Sequence, residues 1–189
     1  MSAPIHIVDD DEDMRTALAR LLRAEGYEVH TYASAGDFLL RRPAAGCLLL
    51  DLHMPGPSGL ELQRAVSLPV VFLTGRGDVT SSVRAMKAGA VDFLTKPVEP
   101  AVLLKAVQAA LARGAERESL GRARTRYDSL SARERAVFEQ VTAGKANKEI
   151  ARLLGIAERT VKMHRAQVME KMQAASVADL VRASDRLKR

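Results

Sequence analysis

Short apolar runs alternate with helical stripes along the first 112 residues. Ile5-His6-Ile7-Val8 is a β-rich run that stops at Asp9. From Asp13 to Glu25, Met14, Ala17, Leu18, Leu21 and Leu22 fall at helical spacing, and Gly26 ends the stripe. Tyr27 to Tyr32 reads as a second strand, and Ser34 is placed to cap a short helix through Leu40. Cys47-Leu48-Leu49-Leu50 is continuously apolar up to Asp51, which suits a strand covered on both faces. A Pro/Gly loop from Met54 to Gly59 leads into a helix near residues 59–66. Val70-Val71-Phe72-Leu73 is a fourth strand ending at Thr74-Gly75, and Asp78 begins a helix with Val79, Val83 and Met86 inward. Val91 to Thr95 is a fifth strand ending at Lys96-Pro97. A helix from Glu99 to about Ala112 follows, apolar at Val102, Leu103, Ala106, Val107, Ala110 and Leu111.

Five strand–helix units predict an α/β domain with a doubly wound, five-stranded parallel sheet and helices on both faces. In such sheets, sites form outside the carboxyl ends of the strands. The residues there are Asp9, Asp10, Asp51, Thr74 and Lys96, which span 87 positions of sequence and come from four strands. The topology would bring them to one rim.

The pattern changes after residue 112. Residues 113–128 are polar and charged, with Gly114 and Gly121, and read as a linker of partly helical propensity. Residues 129–189 carry four short helical segments and no strand signal. Ser131 and Glu134 have capping-box spacing, and Val137, Phe138 and Val141 face inward up to Gly144. Asn147 is placed to cap a helix containing Ile150, Ala151 and Leu154. Gly155-Ile156-Ala157 makes a tight turn, a third helix runs from about Glu158 to Met172, and Ser176 caps a last helix with Val177, Leu180 and Val181 apolar. The expected domains are 1–112, a linker 113–128, and an all-α domain 129–189.

Composition narrows the function. The chain has 189 residues, 47% of them apolar, and no run reaching the roughly 18 residues of a membrane helix. Met1-Ser2-Ala3-Pro4 lacks a secretory pattern, so a cytoplasmic location without membrane contact is expected. A single cysteine, Cys47, excludes an internal disulfide and a Cys-based zinc site. The net charge of +6 is divided unevenly: residues 1–112 hold 11 Lys+Arg against 13 Asp+Glu, and residues 113–189 hold 18 against 10. A mildly acidic front joined to a strongly basic back points to a polyanion as partner of the second half.

Asp9, Asp10 and Asp51 would place three carboxylates near one point, where they repel unless a cation sits among them. Mg²⁺ suits such a donor set. Lys96 adds a fixed positive charge and Thr74 a hydroxyl, together meeting the needs of phosphoryl transfer to a carboxylate. Asp51, at the end of the most buried strand, is the best nucleophile. Taken singly, an aspartate at a strand end is more often a cap or turn former, and Asp11, Glu12 and Asp13 read that way, with Asp13 near the helix start. The conjunction carries the functional reading. His6, His30 and His53 lack metal-ligand spacing and read as structural, and Cys47 as a buried strand residue.

Residues 5–112 resemble the receiver domain of bacterial response regulators. The resemblance rests on Val8-Asp9-Asp10-Asp11-Glu12, Leu50-Asp51-Leu52-His53-Met54-Pro55, Phe72-Leu73-Thr74-Gly75, Lys87-Ala88-Gly89-Ala90-Val91-Asp92-Phe93 and Thr95-Lys96-Pro97. It implies that Asp51 accepts phosphate from a sensor histidine kinase. Asp9, Asp10, Asp51 and the backbone carbonyl of His53 would hold Mg²⁺. Thr74 and Phe93 would form the switch, Lys96 would contact the phosphate, and the Lys96-Pro97 bond would be cis. The stretch from Gly59 to Pro69 is shorter than usual in this family, and so are the second helix and the loop before Cys47.

In the basic half, helix, turn at Gly155 and helix form a helix-turn-helix pattern, whose second helix enters the major groove. At 100° per residue, Val168 and Met172 lie within 20° of Val161 and face the core. Arg159, Met163, Ala166 and Glu170 occupy the far side, flanked by Lys162 and Gln167. Leu130 to Arg182 resemble the LuxR-type DNA-binding domain, through Leu130-Ser131-Ala132-Arg133-Glu134, Ala143-Gly144-Lys145-Ala146-Asn147-Lys148-Glu149-Ile150-Ala151 and Arg159-Thr160-Val161-Lys162-Met163-His164. By that resemblance Lys162, Met163 and Ala166 face bases. Lys145, Lys148, Thr160, His164 and Arg165 lie nearer phosphates, Arg159 belongs to the same surface, and the helix 176–188 forms a dimer contact. Ala157 replaces the Ser or Thr often found before the recognition helix, which leaves that helix without a side-chain cap.

Together the halves resemble the FixJ/NarL-type regulators. The resemblance implies a transcription regulator switched by phosphorylation, an activator by family habit, with homodimerisation on phosphorylation and RNA polymerase as a further partner. Two other classes stay open on sequence. A metal-dependent phosphatase would use the same carboxylates but needs a general base. A receiver whose basic half binds protein or RNA would fail to protect a paired DNA site.

Overall fold

The structure, a computed structural model, describes residues 3–75 and 79–188, with the backbone but not the side chain of Val79. Two compact units are present, residues 1–116 and 117–189. Asp78, expected to open a helix, lies outside the described residues.

The first unit runs β1 (Ile5–Val8), α1 (Glu12–Ala24), β2 (Val29–Tyr32), α2 (Ala35–Arg41), β3 (Cys47–Asp51), α3 (Gly59–Ala65), β4 (Val70–Thr74), α4 (Val79–Lys87) and β5 (Asp92–Thr95), then α5 (Pro100–Asp128), which begins here. The sheet is parallel throughout, in the order β2-β1-β3-β4-β5. Side chains alternate across a strand, so the all-apolar β3 feeds two cores. Cys47 and Leu49 join Ile5, Ile7, Val71 and Leu73 against Leu18 and Leu22 of α1 and Leu103 and Val107 of α5. Leu48 and Leu50 join Val8 and Phe72 against Phe38 of α2, Leu62 of α3 and Ala85 of α4. Burial pushes the Cys47 thiol up to about 12, an inert strand residue as expected.

Asp11, one of the three acids read as caps or turn formers, does cap α1, accepting from the Met14 amide at 3.1 Å, with Glu12 and Asp13 in the first turn. Several expectations need correction. Ala17 is exposed and Ala19 takes its place in the core, because α1 turns a narrower stripe to the sheet. In α4, Val83 and Met86 are 47% and 46% exposed, and Ala85 is the fully buried contact. A helix that meets the sheet through an alanine lies close to it and leaves its larger apolar groups outside. Val102 is likewise exposed, on the solvent side of α5. The α5 helix continues unbroken to Asp128, through the stretch read as a linker. Gly114 lies in it against Pro69, and Ala123 is buried. The expected short helices are short, with seven residues each in α2 and α3.

The second unit holds the end of α5 and then α6 (Ala132–Thr142), α7 (Asn147–Leu154), α8 (Glu158–Lys171) and α9 (Val177–Leu187). Its core is Leu130, Val137, Phe138, Val141, Ile150, Val161, Val168, Met172 and Leu180, with Tyr127 packed against it. Ser131 and Ser176 form full capping boxes with Glu134 and Asp179. Gly155 adopts φ +64 at the turn between α7 and α8, a left-handed conformation that glycine takes without a side-chain penalty. Asn147 does not cap α7: the helix starts from Ala146, and the Asn147 side chain is turned to accept from Arg165 at 2.7 Å. Val177 sits at 36% exposure on the first turn of α9, with Leu180 fully buried.

Glu134 is also the ion-pair partner of Lys171, at 2.7 Å. That bond, with the Ser131 amide bonded to the same carboxylate, holds Glu134 below the usual glutamate range. A carboxyl depressed in the folded state stabilises the fold above the range where the unfolded glutamate titrates, and this contribution disappears as pH falls through the folded value. Denaturant melts of Glu134→Gln are therefore expected to show lower stability than the parent at pH 7 and a gap that closes toward pH 3.

Candidate functional site

The carboxyl ends of the strands meet on one edge of the first unit. Asp9 follows β1, Asp51 ends β3, Thr74 ends β4 and Lys96 follows β5; Asp9, Asp51 and Thr74 are 0%, 5% and 1% exposed. Parallel register aligns them: Val8 pairs with Leu50, Asp51 with Leu73, and Thr74 with Thr95. The Lys96 amide donates to the Thr74 carbonyl at 2.7 Å, so the chain leaves β5 with its lysine at the rim. The Lys96-Pro97 bond is cis, as the family resemblance implies.

Lys96 Nζ lies 2.7 Å from Asp9 Oδ2 and 3.0 Å from Asp51 Oδ1. One ammonium thus bridges two buried carboxylates. Burial pushes the Asp51 carboxyl above the usual range, the bond and charge of Lys96 pull it back, and Asp9 and Asp10 push it up again. Burial likewise acts to lower Lys96, but its bonds to Asp9 and Asp51 outweigh that and hold it above the usual lysine value. The other Asp9 oxygen accepts from the Asp11 amide at 3.0 Å, and the Asp9 carbonyl accepts from Arg15 at 2.7 Å, which fixes the acid from both sides.

Asp9, Asp10 and Asp51 each offer an oxygen within 4.8 Å of the others, with Asp10 exposed to solvent. Three hard oxygen donors beside open water match the preference of Mg²⁺ for a few carboxylates and retained waters. Among the described residues, the buried Thr74 hydroxyl has no hydrogen-bond partner. An orphaned hydroxyl is costly unless something arrives to bond it. Next to a nucleophilic carboxylate, a phosphoryl oxygen is a fitting acceptor. Phe93 is half-buried in the core under this rim, its ring 6.2 Å from that of Phe72. His53 is exposed two residues beyond Asp51. His6 is buried and bonded to Tyr32 and the Ala45 carbonyl, and exposed His30 pairs with Glu28, both away from the acids.

Sequence reading missed two supports. Gly59 begins α3 so close to β3 that an added Cβ would lie 2.5 Å from the Asp51 carbonyl oxygen and 3.0 Å from Phe72. The Pro/Gly loop before it hinted at such an approach. Arg15 gave no signal, because its bond to the Asp9 carbonyl depends on the pose of α1.

In the second unit, α8 turns Val161, Val168 and Met172 into the core, and Arg159, Lys162, Met163 and Ala166 are exposed. Lys148 is exposed on α7, and Lys145, Thr160, His164 and Arg165 are partly exposed around it. Arg165 bonds Asn147 and His164 bonds Gln167 at 3.2 Å, so both are held in place on this face. Ala157 precedes α8 without any side-chain cap, as expected. Ala157→Ser is expected to raise the stability of this unit by about 1 kcal/mol, read as a rise in the denaturation midpoint at unchanged slope.

These two surfaces correspond to two known families. Residues 5–108 match the response regulator receiver domain, and residues 128–184 match the bacterial regulatory proteins of the luxR family. The chain belongs to the response regulators of two-component systems that join a receiver to a LuxR-type DNA-binding domain, a class of transcription factors rather than enzymes. It is 43% identical to the response regulator protein TodT of Pseudomonas putida, over 97% of this chain and 86% of that one. It is 46% identical to the transcriptional regulatory protein FixJ of Azorhizobium caulinodans, over 96% and 91% of the two chains. Among solved structures it is similar to the response regulator StyR, with a TM-score of 0.70 and 42% identity over 97% and 99% of the chains. It is also similar to full-length FixJ from B. japonicum, with a TM-score of 0.60 and 40% identity over 100% and 98%. No helix among the described residues is long and apolar enough to cross a membrane.

Proposed function

We propose that Asp51 is the phosphoacceptor of this regulator and that its phosphorylation controls DNA binding by the basic unit. The observation that carries the reading is the Lys96 ammonium bridging Asp9 and Asp51 beside an unpartnered Thr74 hydroxyl. The donor is a phosphohistidine of a sensor histidine kinase. An Asp51 oxygen attacks phosphorus, the nitrogen–phosphorus bond breaks, and the imidazole leaves with a proton from solvent. The product is an acyl phosphate. Asp9, Asp10, Asp51 and the His53 carbonyl would hold Mg²⁺, which supplies charge neutralisation for the phosphoryl oxygens. Lys96 exchanges part of its carboxylate pairing for the phosphoryl group, Thr74 donates to it, and Phe93 follows Thr74 into the core.

The domains are taken as 1–112 and 129–189, with 113–128 between them. In the basic unit, Lys162, Met163 and Ala166 read bases, with Arg159 beside them, and Lys145, Lys148, Thr160, His164 and Arg165 hold phosphates. A homodimer through α9 places two such helices about 34 Å apart, one turn of DNA. The protein acts in the cytoplasm as an activator, with RNA polymerase as its downstream partner.

Labelling with acetyl phosphate and Mg²⁺, followed by borohydride reduction of the acyl phosphate and peptide mapping, is expected to mark position 51. A mark elsewhere overturns the assignment. Footprinting on DNA should show a paired site whose protection weakens steeply with salt. Equal binding to RNA, or none to DNA, removes the second half of the reading.

A further inference from the structure

A grouping of like charge in the second unit lies apart from the residues assigned to phosphoryl transfer and to DNA, with two of its members on α9, the helix proposed above as the dimer contact. Arg122 and Arg126 of α5 and Arg182 and Arg186 of α9 line one groove of about 380 Å³. Each guanidinium is positioned by a bond along the wall. Arg122 pairs with Glu118 one turn earlier, and Arg126 donates to the Gln173 side chain. Arg182 reaches Asp179 at 2.5 Å, and Arg186 donates to the Ser119 hydroxyl at 3.0 Å. The Arg126 and Arg186 bonds cross between elements, so the wall is braced from both sides.

A guanidinium carries five N–H donors, and one bond leaves most of them unspent. Asp179 is the one carboxylate in the lining, and it already accepts from the Ser176 amide and hydroxyl at 2.9 and 2.8 Å as well as from Arg182. Four arginines against Asp179 and the Glu118 that pairs with Arg122 leave the concavity net positive. No aromatic ring lines it. Planar forks converging on a polar recess match phosphate oxygens, which they bind in bidentate fashion. The groove reaches Met172, just past the end of α8, and the base-reading Lys162, Met163 and Ala166 lie about 9 to 15 Å earlier along the helix axis.

We propose that the groove between the end of α5 and α9 binds a compact polyphosphate anion, either an inorganic oligophosphate or the phosphate chain of a nucleotide. Calorimetric titration of the full chain with tripolyphosphate in EDTA and 0.15 M NaCl is expected to show saturable binding at one site per chain. The double substitution Arg122→Gln with Arg186→Gln should weaken it at least tenfold, and Arg152→Gln, an exposed arginine of α7 outside the groove, should leave it unchanged. Arg122→Gln alone touches only an exposed pair on its own helix and should still weaken binding at least threefold if the double variant does not fold. ATP binding as tightly as tripolyphosphate assigns the phosphate chain alone, and ATP binding at least tenfold tighter assigns a nucleotide. The proposal is overturned by absence of saturation in the millimolar range, or by equal loss in Arg152→Gln. It is also overturned if the groove variants lose DNA affinity in the same proportion, with a shallower salt dependence, since the groove would then be a contact for the DNA backbone.

Discussion

Asp51→Asn is expected to abolish phosphorylation by acetyl phosphate, a fall of more than about a hundredfold in label incorporation, because an amide oxygen is not a competent nucleophile here. The change is nearly isosteric, so the sheet should hold. The Lys96 ammonium loses one of its two acid partners and keeps Asp9, at 2.7 Å. The variant also drops one of three clustered carboxylates, so Mg²⁺ should stabilise it less than the parent. Binding to the folded state alone contributes about 2.7 kcal/mol at a hundredfold excess over Kd. A thermal melt with and without Mg²⁺ should show a clear rise for the parent and a much smaller one for the variant. Label that persists in Asp51→Asn would place the nucleophile elsewhere; a Mg²⁺ shift that persists undiminished would place the metal elsewhere.

Val161→Asp is expected to unfold the second unit while leaving the first one working. Val161 is fully buried at the centre of the core that α6, α7, α8 and α9 share. A carboxylate there has no cation to meet it, and an uncompensated buried charge costs about 4 kcal/mol or more, a large fraction of what a unit of this size holds in reserve. The receiver has its own two cores, with no residue in common with this one. DNA binding should therefore vanish, and helical signal should fall, with labelling of Asp51 retained at parental level. Loss of both activities together would show that the units depend on each other for folding. A double change of Val161→Asp with Asp51→Asn should lose both.

The parallel sheet was legible because β3 and β4 are unbroken apolar runs ending in a polar residue, a pattern few other elements produce. The rim followed from topology: once five parallel strands are recognised, Asp9, Asp51, Thr74 and Lys96 can only end on the same edge. What sequence could not deliver was side-chain choice on the helices. Val83, Met86 and Val102 satisfy helical periodicity, yet α4 turns the smaller Ala85 to the sheet and Val102 stays on the solvent side of α5. Periodicity gives the direction of a stripe but not its width. Asn147 was misread for a related reason. An asparagine near a helix start fits a cap, but Arg165, eighteen residues later, claims its oxygen, and only the packing of α7 on α8 reveals that competition. The continuity of α5 was similarly hidden, since residues 113–128 are polar enough to look like a tether while Ala, Arg and Glu favour helix.

The close seat of Gly59 against the Asp51 carbonyl gives the rim a stiff shoulder on its α3 side, with no space there for even a methyl group. The β4 side carries slack instead, in a hydroxyl that the described residues leave unclaimed. A phosphoryl group arriving on the acid would find an uncommitted donor on the β4 side and closed packing behind the strand on the α3 side.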